Sequence, residues 1–452
     1  MNDYKKLNNA YSHDNKRREN FDFPSSTILT KSSSNLIKKM TEYIPQKMTS
    51  ESSILRNDKT DSLFSNFHYY FMESYSFIKE SFDIKKLKCL KIKSKDDIPI
   101  PDDKDFLFIH KHFQNLICKT SKNKYVCSLK SPFGNGRRIN IFFTFDDKQN
   151  KDKIRDYIER ILVWLYIISK YTYNKNCSKV LNLYIYLTDP KKKLPEEIHE
   201  VIDKINVNTG FTTSCSPESN IVIYRKEEWF KVFIHETIHN FGLDFSEMDN
   251  SNTKEFILKI FPISSKVKLY ETYTDFWART VNCMFCSFYN LVGTNDVMNK
   301  DRFIEDSYEF LNMERIFTYF QVEKILTFMN LDYKELYEDN FESQVKRFVL
   351  YKENTSVLAY YILCSVLFNK FNDFIEWCIK NNGNQQIPLQ FNKTQTNQIN
   401  FCKFIQSNYN NPSFLNILKM IKELNELNEE KKSMDNDVEL HQTLRKSIVE
   451  LE

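Results

Sequence analysis

The segment Phe233-Ile-His235-Glu236-Thr-Ile-His239-Asn-Phe-Gly242 holds the residue types in this chain best suited to chemistry. Two histidines four apart on a helix point the same way and can share one metal ion. The glutamate between them sits one step round, close enough to take a proton from a water beside that metal. Neutral imidazole suits Zn²⁺, and an open coordination position makes such a site catalytic rather than structural. Zinc brings the pKa of a bound water down to about 7, so hydrolysis at neutral pH is the chemistry this spacing implies. The chain has 8 histidines in 452 residues, and random order would produce the pattern roughly 0.01 times. On a helical wheel Phe230, Phe233, Ile234, Ile238 and Phe241 share one side, with His235 and His239 nearly opposite its centre. Gly242, one of only 6 glycines, lies three past His239 as a natural helix stop.

The elements that must position these residues follow from periodicity. Residues 1–60 are polar, rich in Ser, Asn and Lys, and read as a disordered tail. Residues 61–245 read as an α+β unit ending in the histidine helix: a helix over 64–82, a basic alternating strand over 86–93, and a strand pair at 124–129 and 138–145. The turn of that pair is Pro132-Phe133-Gly134-Asn135-Gly136. A long amphipathic helix over 152–171, a central strand over 180–187, a short helix over 196–205 and a strand over 220–224 complete the unit. Residues 246–410 read as a helical unit, and 411–452 as a charged helix or tail. Strands first and helices later make the fold class α+β.

Two histidines leave zinc short of a third protein ligand. Glu271 and Asp275 are i, i+4 on a later helix, where two bare carboxylates would repel by a few tenths of a kcal/mol and a cation between them reverses the sign. The alternative is a solvated acidic face with Asp275 paired to Arg279. The five-residue motif, preceded by a strand, resembles the zincin metallopeptidases over about 120–290. That resemblance implies a zincin-like N-terminal strand and helix unit followed by a mainly helical C-terminal half. It also implies one Zn²⁺ per chain on His235 and His239, with Glu236 as general base and proton shuttle. In the metzincin branch the third ligand position falls on Phe245, which cannot bind zinc, leaving Asp244 or Glu247 out of register. The gluzincin branch implies Glu271 as the ligand and Asp275 as the partner that fixes the tautomer of His235. Thirty-one residues separate His239 from Glu271, a long spacing for that branch, accommodated by an inserted helix around 253–261. The oxyanion donor stays open among Tyr270, Tyr273, Tyr289, Tyr308 and Tyr319; His441, in the charged tail, does not suit the role.

The expected activity is zinc-dependent hydrolysis of a peptide or protein substrate lying extended along 220–224. The alternative is a catalytically silent zincin-like structural or host-interaction protein, against which the intact Glu236 argues. Lys+Arg 64 against Asp+Glu 60 carries no strong nucleic-acid signal. The lysines of 86–93 read as the wet face of a strand. The longest apolar run, 356–368, is short of the ~20 residues a membrane span requires. With no apolar leader at the N-terminus the expected location is cytoplasmic, not secreted. The Lys, Asn and Ile bias with scarce Gly is what AT-rich coding produces, as in a large DNA virus, which would make that location host cytoplasm or virion. The 10 scattered cysteines are expected as reduced thiols, with Cys283 and Cys286 packing in the core rather than binding metal. The charged C-terminal helix is a candidate partner surface, with a solvated terminal helix as the alternative.

Overall fold

Parallel strands need a long crossover, and the amphipathic segment after the third strand provides one. The computed structural model describes residues 28–45, 53–130, 136–172, 176–198, 200–383, 386–429 and 438–452. Strands β1 (Cys89–Lys91), β2 (Asn123–Lys130), β3 (Arg138–Phe145), β4 (Val180–Thr188), β5 (Gly210–Thr212) and β6 (Glu218–Arg225) form one mixed sheet in the order β1-β2-β3-β4-β6-β5. The β3, β4 and β6 strands are parallel, and antiparallel pairings flank them on both sides. Among the helices are α1 (Lys31–Tyr43), α2 (Lys151–Tyr171), α3 (Trp229–Asn240), α4 (Leu269–Gly293), α5 (Lys300–Phe328), α6 (Phe341–Leu350) and α7 (Pro412–Glu429). The molecule is therefore mixed α+β, as its residue pattern implies.

Helix α2 starts at Asn150, whose side chain accepts the backbone N–H of Asp152, and it buries Ile158, Ile161, Leu162 and Trp164. It joins β3 to β4, the central strand, which is buried on both faces over most of its length. Helix α3 follows β6 directly and is tied to α2 by a bond from Trp164 Nε1 to Thr237 Oγ1 at 2.6 Å. The helix expected around 253–261 is present as Ser251–Ile260.

Several expectations change. The basic strand of 86–93 contracts to Cys89–Lys91, because an outermost strand has one partner only; its Lys91 pairs with Asp147. The helix of 196–205 is a single turn at Lys204–Val207. The turn at Pro132 to Gly136 falls largely on 131–135, outside the described residues. Within the tail expected over 1–60, α1 is ordered and buries Leu36, Ile37 and Met40. The charged end expected over 411–452 is solvated only in part: Leu444, Arg445, Ser447, Ile448, Val449 and Leu451 are buried. This segment is held from both sides, with Leu29 bridged to Leu451 and Lys193 to Thr443. One apolar core runs from Leu29 to Leu451 and does not part at 245/246.

The expectation of ten free thiols fails at Cys177 and Cys215, which form a disulfide. The register explains the pairing. Val180 of β4 lies beside Glu218 of β6, so the residues three positions before each strand meet. Cys283 and Cys286 are buried free thiols in the core, as expected. No helix among the described residues is long and apolar enough to cross a membrane.

Candidate metal centre

Every residue of α3 is buried, so its histidines face an internal cleft rather than bulk solvent. The helix ends in a Schellman motif. Gly242, at φ 64°, donates to the His239 carbonyl, and Leu243 donates to that of Ile238, each at 2.9 Å. The reversal carries Asp244 back to His239, where its carboxylate lies 2.7 Å from Nδ1. A position out of register for metal is thereby in register for the ring nitrogen behind it.

Helix α4 opens with Glu271 in its first turn and packs along α3. Its carboxylate Oε2 lies 3.1 Å from His235 Nε2 and 3.2 Å from His239 Nε2, and the two Nε2 atoms are 3.1 Å apart. Three ligands about 2.0 Å from one tetrahedral ion stand about 3.3 Å from each other, so these spacings fit zinc. His235, His239 and Glu271 are all buried and meet as one group of ligand atoms. Asp275, one turn beyond Glu271, lies 3.5 Å from His235 Nδ1, which makes no hydrogen bond among the described residues. Asp275 also accepts from Lys231 Nζ at 3.0 Å. Arg279 forms a long ion pair with Asp275 at 3.9 Å and a closer one with Glu314 at 2.7 Å, but both groups are buried, so the pair does not belong to a solvated acidic face. Glu247 is turned elsewhere, paired with Lys393 at 2.7 Å.

Burial opposes the charge on Glu271, but the two imidazoles hold its carboxyl well below the usual range. Burial likewise disfavours the Asp275 charge, and Lys231 overrides it in the same direction. On His239 burial acts to lower the pKa, while Asp244 and Glu271 hold it well above the ordinary value. Glu236 has no neighbouring cation of comparable effect, and burial pushes its carboxyl up. A raised carboxyl facing the cleft is suited to accepting and returning a proton.

A cleft of about 650 Å³ opens onto these groups, walled by β5, residues 264–268 and residues 353–356. The expectation of a ligand extended along 220–224 fails, because β6 has β4 on one side and β5 on the other. The free backbone edge belongs to β5, and Gly210, Phe211 and Thr212 line the cleft. Gly210 permits close stacking of that strand: a Cβ there would stand 2.8 Å from the Val222 carbonyl oxygen.

Of the tyrosines singled out in the sequence, only Tyr270 lines the cleft. Tyr273 donates to the Leu389 carbonyl, Tyr308 to Asp61 and Tyr319 to Asn369, and the Tyr289 hydroxyl is buried with no partner among the described residues. The tyrosine at the ligand cluster is Tyr360, whose hydroxyl donates to Glu271 Oε2 at 3.1 Å. It stands on a π-helical turn, Leu358–Leu363, a distortion frequent at functional sites. Burial and the nearby Glu271 keep its proton on. The one sequence signal for it was a tyrosine pair inside the longest apolar run, 89 residues from Glu271.

No protein-family model matches the chain, and no curated protein or solved structure matches it either.

Proposed function

We propose that this chain is a zinc-dependent metallopeptidase of the zincin type with gluzincin-like ligation. The carrying observation is the convergence of His235, His239 and Glu271 at mutual distances of 3.1–3.2 Å, with a carboxylate behind each imidazole. Those three residues would hold one Zn²⁺, which supplies Lewis acidity and acidifies a water. Asp244, bonded to His239 Nδ1, and Asp275, behind His235 Nδ1, would orient the two imidazoles with Nε2 toward a bound ion. Glu236 takes the proton from the attacking water and passes it to the leaving amine. Tyr360, with its proton retained by burial, donates to the oxygen on which charge develops. An extended peptide adds to the free edge of β5, which supplies backbone N–H and C=O groups in register.

Glu236→Gln tests this reading. The amide keeps the shape of the carboxylate but cannot accept the proton. Zinc content by elemental analysis should stay near one per chain while cleavage of a broad peptide library falls by several orders of magnitude. Cleavage should also stop with a chelator and return with zinc. A zinc-loaded wild type that cleaves nothing would instead support a silent zincin-like scaffold with a structural or host-interaction role.

A further inference from the structure

Helix α6 is amphipathic in the inverted sense. Its buried residues are Ser343 and Arg347. Phe341 and Phe348 are each 82% exposed, and Val345 and Val349 lie exposed beside them. Positions i, i+4, i+7 and i+8 form one continuous apolar stripe on a helix. Arg347 explains how the helix stays in place without burying that stripe: its Nη1 donates to the carbonyls of Glu335 at 3.2 Å and Glu338 at 2.7 Å. Apolar surface left out while polar groups do the anchoring marks an interaction face.

Next to the stripe, a groove of about 880 Å³ runs between the turn Tyr333–Leu336, the start of α6 and helix α7. Seven carboxylates line it against three lysines. Lys422 is engaged by Asp332 and Lys419 by Glu423, while Glu323, Glu338 and Glu426 have no ion-pair partner among the described residues. Glu323 is the informative one. It is 4% exposed, lines the groove and makes no hydrogen bond or ion pair among the described residues. Its carboxylate is therefore reachable only from the groove, where a donor from a partner would relieve the cost of leaving a nearly buried charge unpaired. Burial accordingly pushes Glu323 up to about 8. Glu342, which lines the groove, borders the apolar stripe on the helical wheel, while Ser343 lies on the buried side, so groove and stripe adjoin along Glu342.

We propose that α6 and this groove dock a basic amphipathic segment of a partner protein. Its apolar side chains cover Phe341 and Phe348, and a lysine or arginine enters the groove to meet Glu323. Charge complementarity selects this occupant. A second copy would set one acidic groove against another, and nucleic acid or an anionic lipid surface would be repelled. The surface is built from residues other than those of the metal centre, so the inference stands or falls apart from the peptidase reading.

Fluorescence anisotropy with the full chain tests it. The probe is a labelled amphipathic helical peptide of leucine and lysine, compared with a counterpart carrying glutamate for lysine. The expected result is saturable one-to-one binding of the lysine peptide only. The double variant Phe341→Ser, Phe348→Ser and the variant Glu323→Gln should each weaken it tenfold or more, with zinc content unchanged. Because Glu323 is buried, Glu338→Gln combined with Glu426→Gln provides a half-buried and an exposed position that should also weaken binding without disturbing the core. Absence of saturable binding, equal binding of both peptides, or unchanged affinity in the surface variants overturns the proposal.

Discussion

At the residue scale, the proposed zinc site gives each ring nitrogen of the two histidines a distinct task, and the tasks predict different losses. Glu271→Ala removes a donor from the cluster and should abolish tight zinc binding. Asp275→Asn and Asp244→Asn remove only the carboxylate behind an imidazole and should weaken zinc affinity about 10–100-fold. Competition with a chromogenic chelator measures all three; equal losses would contradict the division of roles. Tyr360→Phe should lower kcat about 10²–10³-fold with KM and zinc content little changed, the usual scale for an oxyanion donor. A variant as active as wild type would transfer the role to Tyr270. Proton linkage has a definite sign. In the metal-free protein Asp244 and Glu271 hold His239 well above its ordinary pKa, which favours its protonated form. Folding stability from that proton is complete below the unfolded value of about 6.5 and fades as pH rises through the raised folded value. Zinc binding at the proposed site would displace it, so calorimetry in buffers of different ionisation enthalpy should register proton release on zinc addition, with affinity falling as pH drops.

At the element scale, the turn after α3 couples the metal centre to the rest of the fold. Gly242 sits at φ 64°, and a Cβ there would stand 3.3 Å from Cys177 Sγ, Cys215 Cβ and Lys393 Nζ. Gly242→Ala should cost about 1–2 kcal/mol from the left-handed backbone alone. It should also weaken zinc binding, because Asp244 follows within the same turn. Denaturant unfolding and the chelator assay check both; a loss of stability with zinc affinity intact would show that Asp244 finds His239 without this geometry. The disulfide Cys177–Cys215 ties the tip of the β5–β6 hairpin to the entry of β4. It thus holds the edge strand of the cleft to the same place where the helix turns.

At the scale of the whole molecule, the C-terminal segment works as an internal strut. The backbone N–H groups of Lys446 and Ser447 donate to Glu228, at the start of α3, and that of Ile448 donates to Glu314 on α5. Tyr361, adjacent to Tyr360, donates to the Leu444 carbonyl, and Lys446 Nζ lies 3.0 Å from the centroid of the Tyr360 ring. Ending the chain before Thr443 would leave buried carboxylates short of donors, at a cost of about 3–5 kcal/mol for such a charge. Thermal unfolding should show a markedly lower midpoint and loss of the zinc site. An unchanged midpoint would mean the segment is an ornament of the core rather than a member of it.

The sequence by itself determined what depends on short spacing. His235, Glu236 and His239 share one helical turn, Glu271 and Asp275 share another, and Gly242 closes the first; an α-helix fixes such relations without reference to the rest of the chain. Alternation and apolar runs likewise placed β3, α2, β4 and most of β6, because burial on one or both faces writes a period into the residues. Tertiary structure alone decided what joins distant positions. Tyr360 reaches Glu271 across 89 residues, and Cys177 meets Cys215 only because β4 and β6 are parallel neighbours in register. β5 is three residues long, too short to show a period, yet its place at the edge of the sheet gives it the open side of the cleft. The charged residues from Thr443 to Glu450 look solvated in sequence. They are buried because carboxylates and carbonyls from other elements surround them, and no local pattern records partners supplied by the fold.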